Sequence, residues 1–147
     1  MLKSFNHTGF VVRDIDESIA FYTEVLGLGV KSRGEASGES IDRIVGIKDA
    51  QIKAALVDLN NGHVLELVQY IYPPGSDAHS NMNDLGASHL AFTIEDTERL
   101  YETLTQKGMP SINPPEEHRQ QDGRVVRKVF FGKDPDGNWL EFIEVLE

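Results

Sequence analysis

The chain contains an internal repeat, and this feature restricts its fold more than any other. Residues 5–12 and 63–68 of the first copy correspond to residues 87–94 and 138–143 of the second. Each copy opens with a histidine in a β-type pattern, continues with an amphipathic helical pattern, and closes with a glutamate between apolar residues. The repeat therefore predicts two modules of the same architecture, each with the element order β-α-β-β-β.

The first module is predicted to occupy residues 1–72. Its opening strand spans 5–12, and Asp14 or Asp16 caps a helix that ends at Gly27. Further strands are predicted near 28–33, 52–59 and 63–71, while residues 34–50 read as a loop with a short helical turn at 40–46. The helix carries an apolar stripe that we expect in the core, made of Ile19, Phe21, Tyr22, Val25 and Leu26.

A segment rich in Pro, Gly and Ser, residues 73–86, is predicted to link the modules, and the second module then runs over 87–147. Its strand at 87–94 and helix at 96–107 precede a polar loop at 113–124. Strands at 125–132 and 138–146 flank a tight turn at 134–137. The length of 147 residues suits a single domain, 1–147, that contains both modules.

Four side chains of metal-ligand type stand at matching positions of the two copies: His7 and Glu66, then His89 and Glu141. Strand alternation places each glutamate on the face opposite its leucine neighbours. A carboxylate among apolar residues is costly to bury unless it is paired, protonated or bound to a metal. Two imidazoles and two carboxylates suit one divalent transition metal, so the repeat predicts a metal site at this quartet.

Composition excludes several other kinds of protein. The formal net charge is −10, which argues against binding nucleic acid or an anionic membrane through the whole surface. The chain has no cysteine, so disulfides and thiolate metal sites are excluded. No apolar run approaches the roughly 20 residues that span a bilayer, and no signal-peptide pattern opens the chain. We therefore expect a cytoplasmic protein with no nucleic-acid or membrane partner.

Together these residues resemble the vicinal oxygen chelate superfamily, the group of glyoxalases, bleomycin-resistance proteins and extradiol dioxygenases. The resemblance covers essentially the whole chain and rests on His7 and on residues 16–28, 86–92 and 134–141. It implies an α+β fold in which two βαβββ modules form a cup-shaped half-barrel around a divalent metal. It also implies a homodimer that acts on a small-molecule substrate.

The His, Glu, His, Glu set resembles that of glyoxalase I (lactoylglutathione lyase), and methylmalonyl-CoA epimerase is similar. The resemblance implies a metal-stabilised enediolate or enolate, with a carboxylate that moves a proton; Glu141 is our first choice for this base and Glu66 the second. Glyoxalase I proteins commonly hold glutathione with an arginine where this chain has Val11, and often carry an asparagine where it has Tyr70. Another α-hydroxycarbonyl compound or a carbonyl thioester therefore fits equally well as substrate.

Two alternatives come with the same resemblance. An Fe(II) extradiol dioxygenase would use two histidines and one glutamate, which leaves Glu66 without a role. A non-catalytic drug-binding resistance protein would rely on an aromatic-lined groove rather than on the quartet. Nitrogen and oxygen ligands admit Ni²⁺, Co²⁺, Zn²⁺, Mn²⁺ or Fe²⁺, so the metal is left open.

Substrate-binding residues are predicted from chemistry and position. Tyr70 shares a face with Glu66 and can line a pocket there. Arg124 and Arg127 lie around the seventh strand and can hold a carboxylate or phosphate. Lys128 and Arg43 are weaker candidates of the same kind. The two long loops, 34–50 and 113–124, have the length of lids.

Overall fold

The computed structural model describes residues 1–77 and 81–146. The chain divides into two compact units, Met1–Ala78 and His79–Glu147, and the division falls inside the segment predicted as the linker. Each unit holds one copy of the repeat. Within the described ranges, no helix has the length and apolar character that crossing a membrane requires.

The first unit contains a four-stranded mixed sheet. Its elements are β1 (Thr8–Val11), α1 (Ile15–Ala20), a π-helical turn (Phe21–Val25), β2 (Gly29–Ser37), α2 (Glu39–Val45), β3 (Gln51–Asp58) and β4 (Val64–Tyr72). The strand order is β1-β4-β3-β2. β1 runs parallel to β4, while β3 runs antiparallel to both β2 and β4. The first and last strands of the module are therefore direct neighbours.

The second unit repeats this topology. Its elements are β5 (His89–Ile94), α3 (Thr97–Gln106), β6 (Glu116–Arg119), β7 (Val125–Lys133) and β8 (Trp139–Val145), with strand order β5-β8-β7-β6. β5 is parallel to β8, and β7 is antiparallel to β6 and β8. The predicted pair of βαβββ modules in an α+β fold is confirmed.

The register of the strands repeats as well. Gly9 lies opposite Glu66 across β1 and β4, and Ala91 lies opposite Glu141 across β5 and β8. The histidine stands two residues before that partner in both copies, so it lies on the same face of the sheet as the glutamate. The duplication thus extends from the residue pattern to the pairing of individual residues.

Each crossover helix starts in the same way. Asp14 caps α1 by accepting from the backbone N–H groups of Asp16 and Glu17, and Asp96 caps α3 by accepting from that of Arg99. One side chain of the closing strand then adds a second contact at each helix start, because it accepts a hydrogen bond from the first backbone N–H of the helix. These acceptors are Gln69 for Ile15 and Glu144 for Thr97, each at 3.0 Å. They leave few unpaired N–H groups at the helix start.

The core of each unit lies between the sheet and its helix. In the first unit the fully buried Leu65 and Leu67 of β4 share it with Tyr22, which follows α1. In the second, Phe130 and Phe142 stack with ring centroids 4.8 Å apart, and Tyr101 of α3 meets Phe130 edge to face at 5.4 Å. Aromatic and aliphatic burial of this kind supplies most of the stabilisation of such a sheet.

Three sequence-based boundaries are wrong. Residues 34–37, predicted as loop, continue β2 because they pair with residues 51–54 of β3. The predicted polar loop 113–124 contains β6, which pairs with β7 and supplies the module's edge strand. The first strand starts at Thr8 rather than at residue 5, so His7 immediately precedes β1. Both missed strand segments consist of small, polar or charged residues that are almost wholly exposed, so they lack the apolar alternation of a half-buried strand.

Candidate functional site

The first unit brings His7 and Glu66 together on the face of the sheet away from α1. The imidazole Nε2 lies 3.1 Å from Glu66 Oε2, and both side chains keep about a third of their surface exposed, 39% and 31%. Gly9 lies opposite Glu66 in register. A Cβ at this position would make an ordinary contact of 3.8 Å with Glu66 Oε2, so the carboxylate leaves space for a small side chain. A small residue at this position therefore suits the pair.

The second unit forms the same pair from His89 and Glu141, again with Nε2 and Oε2 3.1 Å apart. Here the carboxylate is more enclosed, with 17% of its side chain exposed, while the imidazole is 48% exposed. The ring of Phe131 meets His89 edge to face at 5.8 Å and helps to fix it. Each unit thus brings one histidine of the predicted quartet beside a glutamate of the same unit.

The geometry of these pairs fits ligands of one metal ion. Adjacent ligands with bonds of about 2.1 Å lie roughly 3.0–3.4 Å apart in octahedral or tetrahedral coordination. The observed spacing of 3.1 Å falls in that range. It also suits a hydrogen bond from an Nε2–H of the ring to the carboxylate. A metal ion or a proton between the two atoms accounts for their approach.

The hydrogen bond of the other ring nitrogen favours the metal-binding tautomer of His7. Its Nδ1 lies 2.7 Å from the side-chain oxygen of Asn6, which accepts a hydrogen bond in the tautomer that carries its proton on Nδ1. In the neutral ring, Nε2 then carries a lone pair that points toward a carboxylate. Metal-binding histidines are commonly oriented by a hydrogen bond of this kind.

The structure shows two His–Glu pairs, one in each unit. Among residues 1–77 and 81–146, no group of three or more His, Asp or Glu side chains is arranged to hold a metal ion. Each pair supplies two ligands, whereas a structural or catalytic metal in proteins usually takes three or four. The union of the two pairs in one site therefore stays a prediction.

A family model described as the Glyoxalase/Bleomycin resistance protein/Dioxygenase superfamily matches residues 4–142. The chain belongs to this superfamily. The match contains all four residues of the two pairs, and the resemblance drawn from the sequence is confirmed.

Individual relatives of the superfamily differ in what they do. The chain is 31% identical to a 2-epi-5-epi-valiolone epimerase from Actinomyces sp., over 95% of this chain and 78% of the relative. It is 27% identical to a lactoylglutathione lyase from Pseudomonas putida, over 95% and 84%. A crystal structure of a glyoxalase family protein from Bacillus cereus superimposes with a TM-score of 0.85 at 23% identity, covering 100% of this chain and 97% of that one. That last likeness supports the superfamily fold.

The cationic residues predicted to bind substrate lie in different environments. Arg124, in the turn between β6 and β7, donates to Asp122 at 2.8 Å and to Gln120 at 3.1 Å. The same hydrogen bond from Arg124 is the main reason why the pKa of Asp122 lies below its usual value. Arg124 is thus held within its own turn.

Lys128 points to the helix side of the sheet, where its ammonium group donates to Glu98 of α3 at 2.6 Å. This hydrogen bond lowers the pKa of the Glu98 carboxyl and raises that of Lys128. Arg43 lies in α2 beside Glu39, one helical turn away. Both residues have structural partners of opposite charge, and neither lies beside a His–Glu pair.

Tyr70 and Arg127 lie on the same sheet faces as the glutamates of their units. Tyr70 stands two alternations beyond Glu66 in β4 and is half-buried. Arg127 pairs in register with Val145, which shares a face with Glu141, and it is exposed. Their positions agree with a substrate-binding role, which stays a prediction.

Lys133 was missed at the sequence level although it lies closer in register to the pair. β7 alternates so that Arg127, Phe131 and Lys133 share one face, and Phe131 lies directly opposite Glu141. Lys133 is the next residue of that face, opposite Trp139. The predicted strand ended at residue 132, one residue short of Lys133, so the alternation from Arg127 was not followed that far.

Proposed function

We propose that this chain is a metal-dependent lyase or isomerase that moves a proton between neighbouring atoms of a small carbonyl compound. The observation that carries the proposal is the repeated His–Glu pair, with Nε2 and Oε2 at 3.1 Å in both units. Two imidazoles and two carboxylates match the donor preference of divalent transition metals. Relatives named as an epimerase and as a lactoylglutathione lyase support a reaction of this class.

His7, Glu66, His89 and Glu141 would together hold one divalent ion, within one chain or between two chains. When bound, the metal would supply positive charge that stabilises an enolate or enediolate oxygen of the substrate. His7 is positioned for this by Asn6, and His89 by the ring of Phe131. Two ligands from each module make the site depend on both copies of the repeat.

Glu141 is the carboxylate we assign as the proton carrier. Its side chain is about half as exposed as that of Glu66, so water competes less for its oxygens. In the reaction, Glu141 would take the proton from the carbon beside the carbonyl group and return it to the neighbouring atom or to the other face of the same carbon. The first outcome is the isomerisation step of a lyase of this class, and the second is an epimerisation.

The test is metal content per chain, measured by elemental analysis on tag-free wild-type protein beside His7→Ala and His89→Ala. We expect close to one divalent metal per chain in the wild type and little in either variant. Each variant lacks one imidazole and should keep its fold, because both histidines are partly exposed. Circular dichroism checks that the variants are folded.

Unchanged metal content in both variants would refute the joint site. A loss in only one variant would mean that a single pair holds the ion. If no metal binds after loading with Ni²⁺, Co²⁺, Mn²⁺ and Zn²⁺, the chain is a metal-free binding protein. With a metal bound, the substrates to screen are the hemithioacetal of glutathione and methylglyoxal, acyl-CoA thioesters, and catechols as a check for ring cleavage.

A further inference from the structure

The second unit places a cation beside the His89–Glu141 pair. Lys133 ends β7 on the same face as Glu141, and its ammonium nitrogen lies 3.9 Å from the centroid of the Trp139 ring. Trp139 in turn lies opposite His89 across β5 and β8. His89, Trp139 and Lys133 therefore follow one another across three neighbouring strands.

Lys133 is set apart from the other enclosed cations. Three of the lysines in the described part of the chain are half-buried: Lys53, Lys128 and Lys133. Lys53 lies 3.9 Å from Glu35, and Lys128 lies 2.6 Å from Glu98. Among residues 1–77 and 81–146, Lys133 has no carboxylate partner and rests on an aromatic face instead. In a chain with net charge −10, such a cation is available to an anion from outside.

Trp139 gives an independent sign of a missing partner. Its side chain is nine-tenths buried, and its indole N–H has no hydrogen-bond acceptor among the described residues. A buried donor without an acceptor is unusual and costs free energy until an acceptor arrives. An anion attracted by Lys133 carries several acceptor oxygens, and one of them would satisfy the indole N–H once the side chains that cover this nitrogen make way.

These two residues are not part of what the repeat preserves. In the first unit, the register places Asp58 opposite Val64, at the positions that Lys133 and Trp139 take in the second. Asp58 has the opposite charge and lies 3.7 Å from Lys31. The cation and the indole are therefore specific to the second module, as a recognition feature would be, whereas the His–Glu pair is common to both.

We propose that Lys133 and Trp139 form an anion subsite that binds a carboxylate or phosphate group of the substrate. This rests on the proposed function, since it takes Glu141 as the proton carrier. Trp139 and Glu141 are two residues apart in β8, which corresponds to about 7 Å. The substrate would then be a small acid or phosphate ester whose anionic group lies roughly three to five bonds from the reacting carbon.

The experiment uses Trp139 itself, because it is the only tryptophan of the chain. Its fluorescence is recorded while the full-length protein is titrated with inorganic phosphate, with malonate and with the neutral amide malonamide, at constant ionic strength. We expect a saturable change with phosphate or malonate and none with malonamide. The anion that acts at the lower concentration tells whether the subsite suits a phosphate or a carboxylate.

Three variants make the result specific. Lys133→Ala should lose the saturable change or shift it at least tenfold in concentration, and Lys133→Arg should restore it to within a few-fold. Arg99→Ala removes an exposed cation on α3, on the other side of the sheet, and should behave as the wild type. Thermal unfolding followed by circular dichroism shows whether each variant is folded.

The proposal is overturned if neither anion gives a saturable change, or if Lys133→Ala gives the wild-type curve. The second result is what anion binding at a metal ion would produce, because the metal ligands are intact in that variant. Repeating the titration after chelator treatment separates the two proposals. A response that survives supports the subsite whether or not the metal proposal holds, and one lost together with the metal overturns it.

Discussion

The two modules share their sheet topology, but the side chains beside their His–Glu pairs differ. Strand order, the register of the histidine and glutamate, the aspartate caps and the side-chain contact at each helix start are all repeated. Around the pair, the first module presents Val64 and Asp58, where the second presents Trp139 and Lys133. The comparison indicates that the duplicated framework positions the His–Glu pairs, while the side chains beside them are not duplicated.

The largest expected effect is a difference in turnover between variants of Glu141 and Glu66, which occupy equivalent positions in the repeat. Glu141→Gln should lower turnover of an identified substrate by about 10²–10⁴-fold, because it removes the proposed proton carrier. Glu66→Gln should lower turnover less, while both variants keep near-normal melting temperatures. Steady-state kinetics of the metal-loaded variants checks this. A larger loss for Glu66→Gln would exchange the two roles, and no loss for either would remove both from the mechanism.

The next effect concerns a core position at which the modules differ. Gly132 in β7 corresponds in register to the buried Val57 of β3. A Cβ at Gly132 would stand 2.5 Å from Met109 Cε and 3.1 Å from the carbonyl oxygen of Pro110. Met109 thus fills in the second module the volume that a valine side chain fills in the first.

Gly132→Ala should therefore destabilise the protein by about 1–3 kcal/mol, since Met109 is itself buried and has little room to move. Gly34→Ala in β2 is the matched control, because its Cβ would meet nothing within 4 Å. Denaturant unfolding of the two variants and the wild type measures the change in the free energy of unfolding that each substitution causes. Equal stability would mean that Met109 reorients without cost.

The smallest effect tests the contact from the closing strand to the helix start. Glu144→Ala leaves both the backbone N–H and the hydroxyl of buried Thr97 without this acceptor, whereas Gln69→Ala removes only one hydrogen bond, from Ile15. We expect losses of about 2 and about 1 kcal/mol respectively. Glu144→Gln keeps an acceptor oxygen and should lose less than Glu144→Ala. The melting temperatures of the three variants test this, and we expect that of Glu144→Ala to be the lowest.

Much of this arrangement was accessible from the sequence because it repeats. Residues at equal places in two copies predicted the two modules. They also selected His7, Glu66, His89 and Glu141 as metal ligands, which stays a prediction. The segments 34–37 and 116–119 were misread because these exposed edge strands carry small, polar or charged residues instead of an apolar alternation. Lys133 escaped notice because it has no counterpart in the first copy and acquires meaning only from the register of β7 and β8.

Within each module, the histidine and the glutamate come from the first and the last strand, and these strands pair only across the full length of the module. Such a contact has a high sequence separation, so the entropy cost of closing a long loop must be met before it forms. During synthesis, neither pair can exist before its closing strand has left the ribosome. Ligand geometry is therefore a sign that a module is complete, and a chain truncated before β4 or β8 would offer single histidines with little capacity to trap a metal ion.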